Sequence, residues 1–319
     1  MDFRISVSVI FILAIAAAPD GRAQSYPQKP VRLIVPSAAG GPTDIPGRLV
    51  ADGLSRLTGQ RFVVENRVSA GGVVGAEAVA RSEPNGYTLL YANTSVLAVN
   101  PAIHDKLPYD PAAFVAIGFV SNSPQVLVAY PKFPPRSVKE LLDYANTYPG
   151  KLNFGSSGLG TLPHLTYELF KLETGIKSTL INYKGGGPAL LAVVAGEADV
   201  MFDIVGSRVR NGEVRALAVT GKTRHPEIPE VPTMAEIGLP AMASTSGTGL
   251  VGPAGTPREI VTFLNGKLNE LLQAPEIQSR MNALGLLPAG GTPEEFGAWA
   301  IDQRQKWRRV VKESGLKID

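Results

Sequence analysis

Five small residues, Ser37-Ala38-Ala39-Gly40-Gly41, follow the β-branched run 31–35 and precede a stretch with helical character. Thr43 or Asp44 can cap that helix, Pro46 fits only its first turn, and Ile45, Leu49, Val50, Leu54 and Leu57 form one apolar stripe at helical spacing. A strand, a glycine turn and a helix N-terminus together aim unpaired backbone N–H groups and the positive end of the helix dipole at one point. The chemistry such a corner offers is anion binding. Glycine turns also serve as plain connections between strand and helix, and what favours a functional reading here is repetition.

A second unit runs from Leu152-Asn153-Phe154 through Gly155-Ser156-Ser157-Gly158-Leu159-Gly160-Thr161 into a helix with Pro163 in its first turn and Leu162, Leu165, Leu169 and Phe170 along it. A third runs Leu180-Ile181-Asn182-Tyr183, then Lys184-Gly185-Gly186-Gly187, then a helix opening at Pro188. Three glycine-rich helix starts point to one shared ligand. Asn93, Thr94 and Ser95 follow the buried strand 87–91 and share the strand end of the first corner if the strands are parallel; that end is where open α/β sheets bind ligands. Asp203 closes the strand 198–203 with a carboxylate.

Enzymatic alternatives find little support. No G-x-G-x-x-G follows the first strand, no G-x-x-x-x-G-K-[ST] occurs, and Lys184 stands on the wrong side of its glycines for a phosphate loop. Gly155-Ser156-Ser157-Gly158-Leu159 lacks the closing glycine of a nucleophile elbow. With no cysteine, thiolate chemistry is excluded, and His104, His164 and His225 lie too far apart to suggest a metal site. Neither a catalytic residue nor a cofactor is expected.

The elements that position these residues alternate. Strands are read at 61–64, 87–91, 126–129, 198–203 and 215–220, and helices at 73–81 (Val74, Ala78 and Val79 inward), 138–144, 233–237, 258–272 and 293–314. Ser121-Asn122-Ser123-Pro124 breaks an apolar run, and 244–257 is a small-residue segment suited to returning between domains. The class is α/β with two mixed sheets. Two lobes are expected, 24–124 plus 247–319 and 125–246, joined by crossing segments near 125 and 246, so that the three corners meet across a cleft.

The 319 residues, 44% of them hydrophobic, can supply two cores. A net charge of +3 from scattered basic residues leaves no footprint for nucleic acid. The densest basic run, Lys306-Trp307-Arg308-Arg309, is read as a solvated helix face. Residues 1–23 have the layout of a secretory signal: Arg4, the apolar core 5–18, then Gly21-Arg22-Ala23. The mature chain is therefore expected to start near Gln24 and to be exported to the periplasm. No later stretch approaches the about 20 apolar residues of a membrane span.

These residues resemble a known pattern, that of the tripartite tricarboxylate transporter substrate-receptor family, also called the Bug family of periplasmic solute-binding proteins. The resemblance covers nearly all of the mature chain. It rests on Tyr26-Pro27, on Val35-Pro36-Ser37-Ala38-Ala39-Gly40-Gly41 with Asp44 and Arg48, on Glu65-Asn66-Arg67, Ala70-Gly71-Gly72 and Asn85-Gly86-Tyr87-Thr88, and on Leu107-Pro108-Tyr109-Asp110. It continues through Pro149-Gly150-Lys151-Leu152, Ser156-Ser157-Gly158, His164-Leu165, Tyr183-Lys184-Gly185, Met201-Phe202-Asp203 and Pro253-Ala254-Gly255-Thr256-Pro257.

The resemblance implies a two-lobed receptor of the type 2 periplasmic kind, a Venus flytrap that closes on a small organic acid. It implies a monomer serving the membrane subunits of a tripartite transporter or a sensor. It also implies that the first turn, Ser37, Ala38, Ala39, Gly40 and Gly41 with Asp44 behind it, holds the ligand carboxylate through backbone amides and bridging waters. The opposite lobe would contribute Ser156, Ser157, Thr161 and the turn from Lys184 through Gly187, and Asp203 would face the variable end of the ligand. His164 matches an early helix position of the family, as a ligand contact or as a structural residue. Three departures touch the pocket walls: a shorter, proline-free loop at 204–211, no tryptophan near Gly247, and Ser37 where the family often has an aromatic residue.

Overall fold

A computed structural model describes residues 26–316; the expected signal 1–23 lies outside them. In chain order the elements are β1 (Val31–Val35), α1 (Asp44–Thr58), β2 (Phe62–Asn66), α2 (Val73–Ala80), β3 (Thr88–Asn93), a π-helical turn Ser95–Val99 running into α3 (Asn100–Ile103), and β4 (Val115–Ala129). There follow α4 (Val138–Thr147), β5 (Asn153–Ser156), α5 (Leu162–Thr174), β6 (Thr179–Asn182), α6 (Gly186–Ala195), β7 (Val200–Ile204), α7 (Ser207–Arg210) and β8 (Arg215–Val219). The chain ends with β9 (Thr245–Gly252), α8 (Arg258–Gln273), α9 (Pro275–Ala283) and α10 (Pro293–Ser314). Among the described residues no helix is long and apolar enough to cross a membrane.

The strands hydrogen-bond in the order β2-β1-β3-β9-β4-β7-β5-β6, with β8 also on β4. The register fixes where the strand ends go. β1, β2 and β3 are parallel, β9 is antiparallel to β3 and to β4, so β4 runs with β3. β7 is antiparallel to β4, and β5 and β6 run with β7. The strands of the two lobes therefore point at one another: Asn93 pairs with Thr248, Thr248 with Ser121, and Ile204 with Gln125. Their C-terminal ends converge on residues 121–125 of β4.

Each lobe's sheet is covered on both faces, which is why its strands are apolar on both sides. In the first lobe Leu33, Val35 and Tyr91 pack with Leu54, Leu264 and Met281 on one face, while Ile34, Leu90 and Ala92 pack with Ala76, Val79 and Phe296 on the other. In the second, Leu127, Phe154 and Phe202 pack with Leu165 and Phe170, and Val126, Val128 and Met201 with Ala189 and Val193. These are the two cores expected from composition.

Several local expectations are corrected. Ser121-Asn122-Ser123-Pro124 does not break the strand, since β4 runs through it for 15 residues. Pro124 lies where β4 exchanges β9 for β7 as its neighbour, a place where a missing N–H costs least. Ile45 and Val74 are exposed rather than inward, and α2 buries Gly75, Ala76 and Val79 instead. Residues 233–237 form turns, not a helix, and α9 was not expected. The basic run in α10 is a solvated face only at Arg308 and Arg309, which are exposed: Trp307 is fully buried, and Lys306 is half-buried with its Nζ donating to the carbonyls of Ala241 and Ala243.

Trp307 sits in the core around Phe154, Phe170 and Phe202, far along the chain from the rest of that lobe. Trp307→Ala should lower stability by about 3–5 kcal/mol. A fall in the urea unfolding midpoint at unchanged slope would record it.

Candidate functional site

The first glycine turn is held from behind by its own helix. Asp44 is the first residue of α1 and is buried; its Oδ2 accepts from the Gly40 N–H at 2.8 Å and from Arg48 Nε at 2.8 Å. Its Oδ1 accepts from Asn66 Nδ2 at 2.7 Å, and that same amide donates to the Ser37 carbonyl at 2.9 Å. Arg48 Nη2 closes the network on Asn66 Oδ1 at 2.9 Å. Thr43, expected as a possible cap, makes no side-chain capping bond. Burial works against the charge on Asp44, but Arg48, Asn66 and the Gly40 amide outweigh it and hold its carboxyl below the ordinary value.

The second turn repeats this arrangement with other chemistry. His164, on the first turn of α5, is buried, and its Nδ1 accepts from the Gly160 N–H at 3.0 Å. In both lobes the residue four positions beyond a glycine takes that glycine's N–H, and both glycines need positive φ, 75° at Gly40 and 69° at Gly160. Burial pushes the His164 imidazole below its usual pKa although Glu168 is near. The ring is thus neutral, with its proton on Nε2, which lies 3.9 Å from Glu168 Oε1. Of its two readings, the structural one fits these contacts.

The second and third turns touch: the Gly185 N–H donates to the Ser157 carbonyl at 3.2 Å, and the Tyr183 N–H to the Ser156 carbonyl at 2.9 Å. Ser157 and Thr161 share a hydroxyl hydrogen bond of 3.0 Å, and Thr161 donates to the Gly158 carbonyl at 2.8 Å. Ser156 is buried with its hydroxyl directed at Gly158. α6 starts at Gly186, ahead of the expected Pro188, and a Cβ added at Gly186 or Gly187 would meet nothing within 4 Å. Gly187 and Lys184 are exposed.

The amides open to a ligand differ from the sequence expectation. Gly40 gives its N–H to Asp44, and Gly41 gives its own to the Ala38 carbonyl at 3.1 Å. Ala38 and Ala39 are exposed, and the Ser37 hydroxyl is buried with no hydrogen-bond partner among the described residues. At the end of β3, Asn93 accepts from the Val96 N–H at 3.0 Å, while Thr94 is buried and bonds the Gly247 N–H at 2.9 Å. Thr94 is therefore a tie from the end of β3 to β9, not an open ligand group. Ser95 remains half-buried beside it. Asp203 is the penultimate residue of β7; burial pushes its carboxyl up to about 6, against a hydrogen bond from the Ile204 N–H at 2.9 Å.

Some residues at these turns were given no role from sequence. Asn66 and Arg48 complete the Asp44 network. Gly72 lies against the first turn so closely that a Cβ there would come within 2.7 Å of Pro36. The pair Gly71-Gly72, before the N-terminus of α2, was the available signal. Near Gly247 the wall left without a local tryptophan is filled by Trp299 of α10, whose ring occupies the space of a Gly247 side chain. The short loop after Asp203 forms α7, and Arg210 reaches from it to the carbonyls of Asn282 and Ala283 at the end of α9, at 3.0 and 3.2 Å.

A model of the "Tripartite tricarboxylate transporter family receptor" family matches residues 47–316. Protein BugT of Bordetella pertussis is 37% identical over 320 residues, covering 98% of both chains. Among solved structures, Rpa4515 of R. palustris with adipate superposes with a TM-score of 0.81 at 34% identity, over 92% of this chain and 99% of that one. MatC (Rpa3494) from Rhodopseudomonas palustris with bound malate gives 0.77 at 31% identity, over 90% and 100%.

Asp44→Ala strands the Gly40 N–H, Asn66 and Arg48, and should cost on the order of 1–3 kcal/mol in unfolding free energy. Because the Asp44 pKa is depressed by folding, its contribution is present above the ordinary carboxylate pKa and is lost as pH falls through the lower folded value. Denaturant titrations across acid pH should show that part of the acid limb missing in Asp44→Asn.

Proposed function

Because the chain belongs to the tripartite tricarboxylate transporter receptor family, we propose that it captures a small organic carboxylate between its lobes and hands it to the membrane subunits of such a transporter. The lobes divide as 24–124 plus 247–319 and 125–246, the protein is exported to the periplasm through a cleaved 1–23 segment, and it works as a monomer without catalysis.

One observation carries the reading: the Ser37 hydroxyl, buried and unpartnered among the described residues, lies in a glycine turn whose Gly40 and Gly41 amides and Ser37 carbonyl are already braced. A ligand carboxylate accepts from Ser37 and from the Ala38 and Ala39 amides. Across the cleft it meets the N-terminus of α6, where Gly186 and Gly187 leave room for close approach. The relatives holding adipate and malate support a ligand of the dicarboxylic class. Closure follows because the second lobe's amides gain their contacts only in the closed form, which shifts the open–closed equilibrium.

Asp203 faces the far end of the ligand and sets the pH dependence. An acid placed beside it is tolerated when Asp203 is protonated, so a dicarboxylate binds more tightly as pH falls through about 6. Isothermal titration at pH values on either side of that point should show this slope in the wild type and none in Asp203→Asn. A hydroxyl or ammonium at that end would reverse the slope.

Thermal unfolding of the mature chain, stripped of carried-over ligand by denaturation and refolding, tests the function. An acid at one hundred times its dissociation constant stabilises by about 2.7 kcal/mol. Adipate, malate or a related acid should raise the midpoint, and Gly187→Val, which covers the α6 amides without a strained φ, should abolish the rise. Equal shifts in that variant, or no shift with any carboxylate, would overturn the assignment.

A further inference from the structure

A second cavity, of about 350 Å3, lies beside the crossing strands, between α10 and the 220–226 loop. None of the candidate carboxylate residues lines it. Four of its lining residues carry buried polar atoms that have no hydrogen-bond partner among the described residues: Asn122 Oδ1, His225 Nε2, Ser244 Oγ and Gln303 Oε1. His225, Ser244 and Gln303 are only 1%, 3% and 4% exposed. Leaving a buried polar atom unpaired costs roughly 1–3 kcal/mol, so four on residues that line one cavity point to something polar beside them.

Their neighbours define what each atom asks for. His225 Nδ1 accepts from the Glu227 N–H at 3.2 Å, and burial lowers the pKa of the ring, so the neutral imidazole carries its proton on Nε2 and offers a donor. Gln303 Nε2 donates to Asp302 Oδ2 at 3.1 Å, which leaves Oε1 as an acceptor. Asn122 Oδ1 is a second acceptor, and the Ser244 hydroxyl both donates and accepts. One wall is the indole of Trp299, fixed by its N–H to Thr245 Oγ1 at 3.2 Å. The charged lining residues Lys222, Arg224 and Asp302 are exposed, and Arg224 is paired with Glu236 at 2.9 Å.

The buried polar lining is therefore neutral, mixed in donors and acceptors, and flanked by an aromatic wall. An ionised group here would lose its hydration without a buried countercharge. Adjacent hydroxyls, each both donor and acceptor, satisfy all four atoms, and the C–H face of such a molecule packs on the indole. We propose that this cavity is a binding site for a small uncharged polyol or monosaccharide, distinct from the carboxylate cleft.

The test uses the mature chain with xylitol, myo-inositol and glucose at millimolar concentration, followed by thermal unfolding and isothermal titration. One of them should raise the midpoint on the order of 2–4 °C. Gln303→Met with Ser244→Ala removes an acceptor and a hydroxyl at nearly constant volume and should abolish that rise while the variant stays folded. Gly187→Val should leave it intact, which separates this site from the cleft. No rise with any of the three, a rise that survives the double substitution, or a crystal structure from polyol-soaked crystals with only ordered water between the four atoms would overturn the proposal.

Discussion

A single strand that changes partners organises the molecule. β4 pairs with β9 as far as Pro124 and with β7 from Gln125 onward. β1, β2 and β3 run with β4 while β5, β6 and β7 run against it, so the C-terminal ends of these strands from both lobes are delivered to one level. The cost is a set of polar residues buried between the lobes, and most of them, Asn122 and Ser244 excepted, find a side-chain partner among the described residues. Ser121 bonds Thr248 at 2.8 Å, Thr248 bonds Tyr91 at 3.1 Å, Ser123 accepts from the Leu287 N–H at 2.9 Å, and Gln125 receives the Thr166 hydroxyl at 2.5 Å. A polar stretch inside an apolar strand is stable here because its hydrogen bonds close within the protein.

On that frame both lobes solve one problem in one way. A glycine turn that presents amides outward has to be kept from collapsing, and the residue one helical turn further on holds it by accepting the glycine's N–H. The first lobe uses an ionised carboxylate neutralised by Arg48, the second an uncharged imidazole. Neither acceptor adds net negative charge toward an arriving anion. In each lobe the bracing acceptor sits on the helix that follows its turn, and in the first Asn66 of β2 reinforces it.

The three turns and the alternation of strand and helix were legible in the sequence because glycine and proline report backbone requirements directly. Side-chain destinations were less so. Thr43 has the type of a cap, yet Asp44 takes over the turn, a choice set by Asn66 from the neighbouring strand. The stripe through Ile45 fails at its first member, which faces a groove lined also by Leu284 of the segment after α9. Residues 121–124 read as a break because their hydrogen-bond partners, Thr248 and Leu287 among them, lie far along the chain. Lys306-Trp307 reads as surface for the same reason: the carbonyls and the core that receive the pair belong to the other lobe.

The placement of α10 has a mechanical consequence. Its first turns pack Phe296 and Trp299 on Phe119 of the first lobe, and its last turns set Trp307 and Val310 in the core of the second. A rod of 22 residues, about 33 Å long, thus spans the joint as a third connection beside the two strands. Two strands alone allow a hinge to bend and twist freely. With a rod seated at Trp299 in one lobe and at Trp307 in the other, twisting the lobes against one another would pull one end from its seat, so the helix acts as a brace against twist.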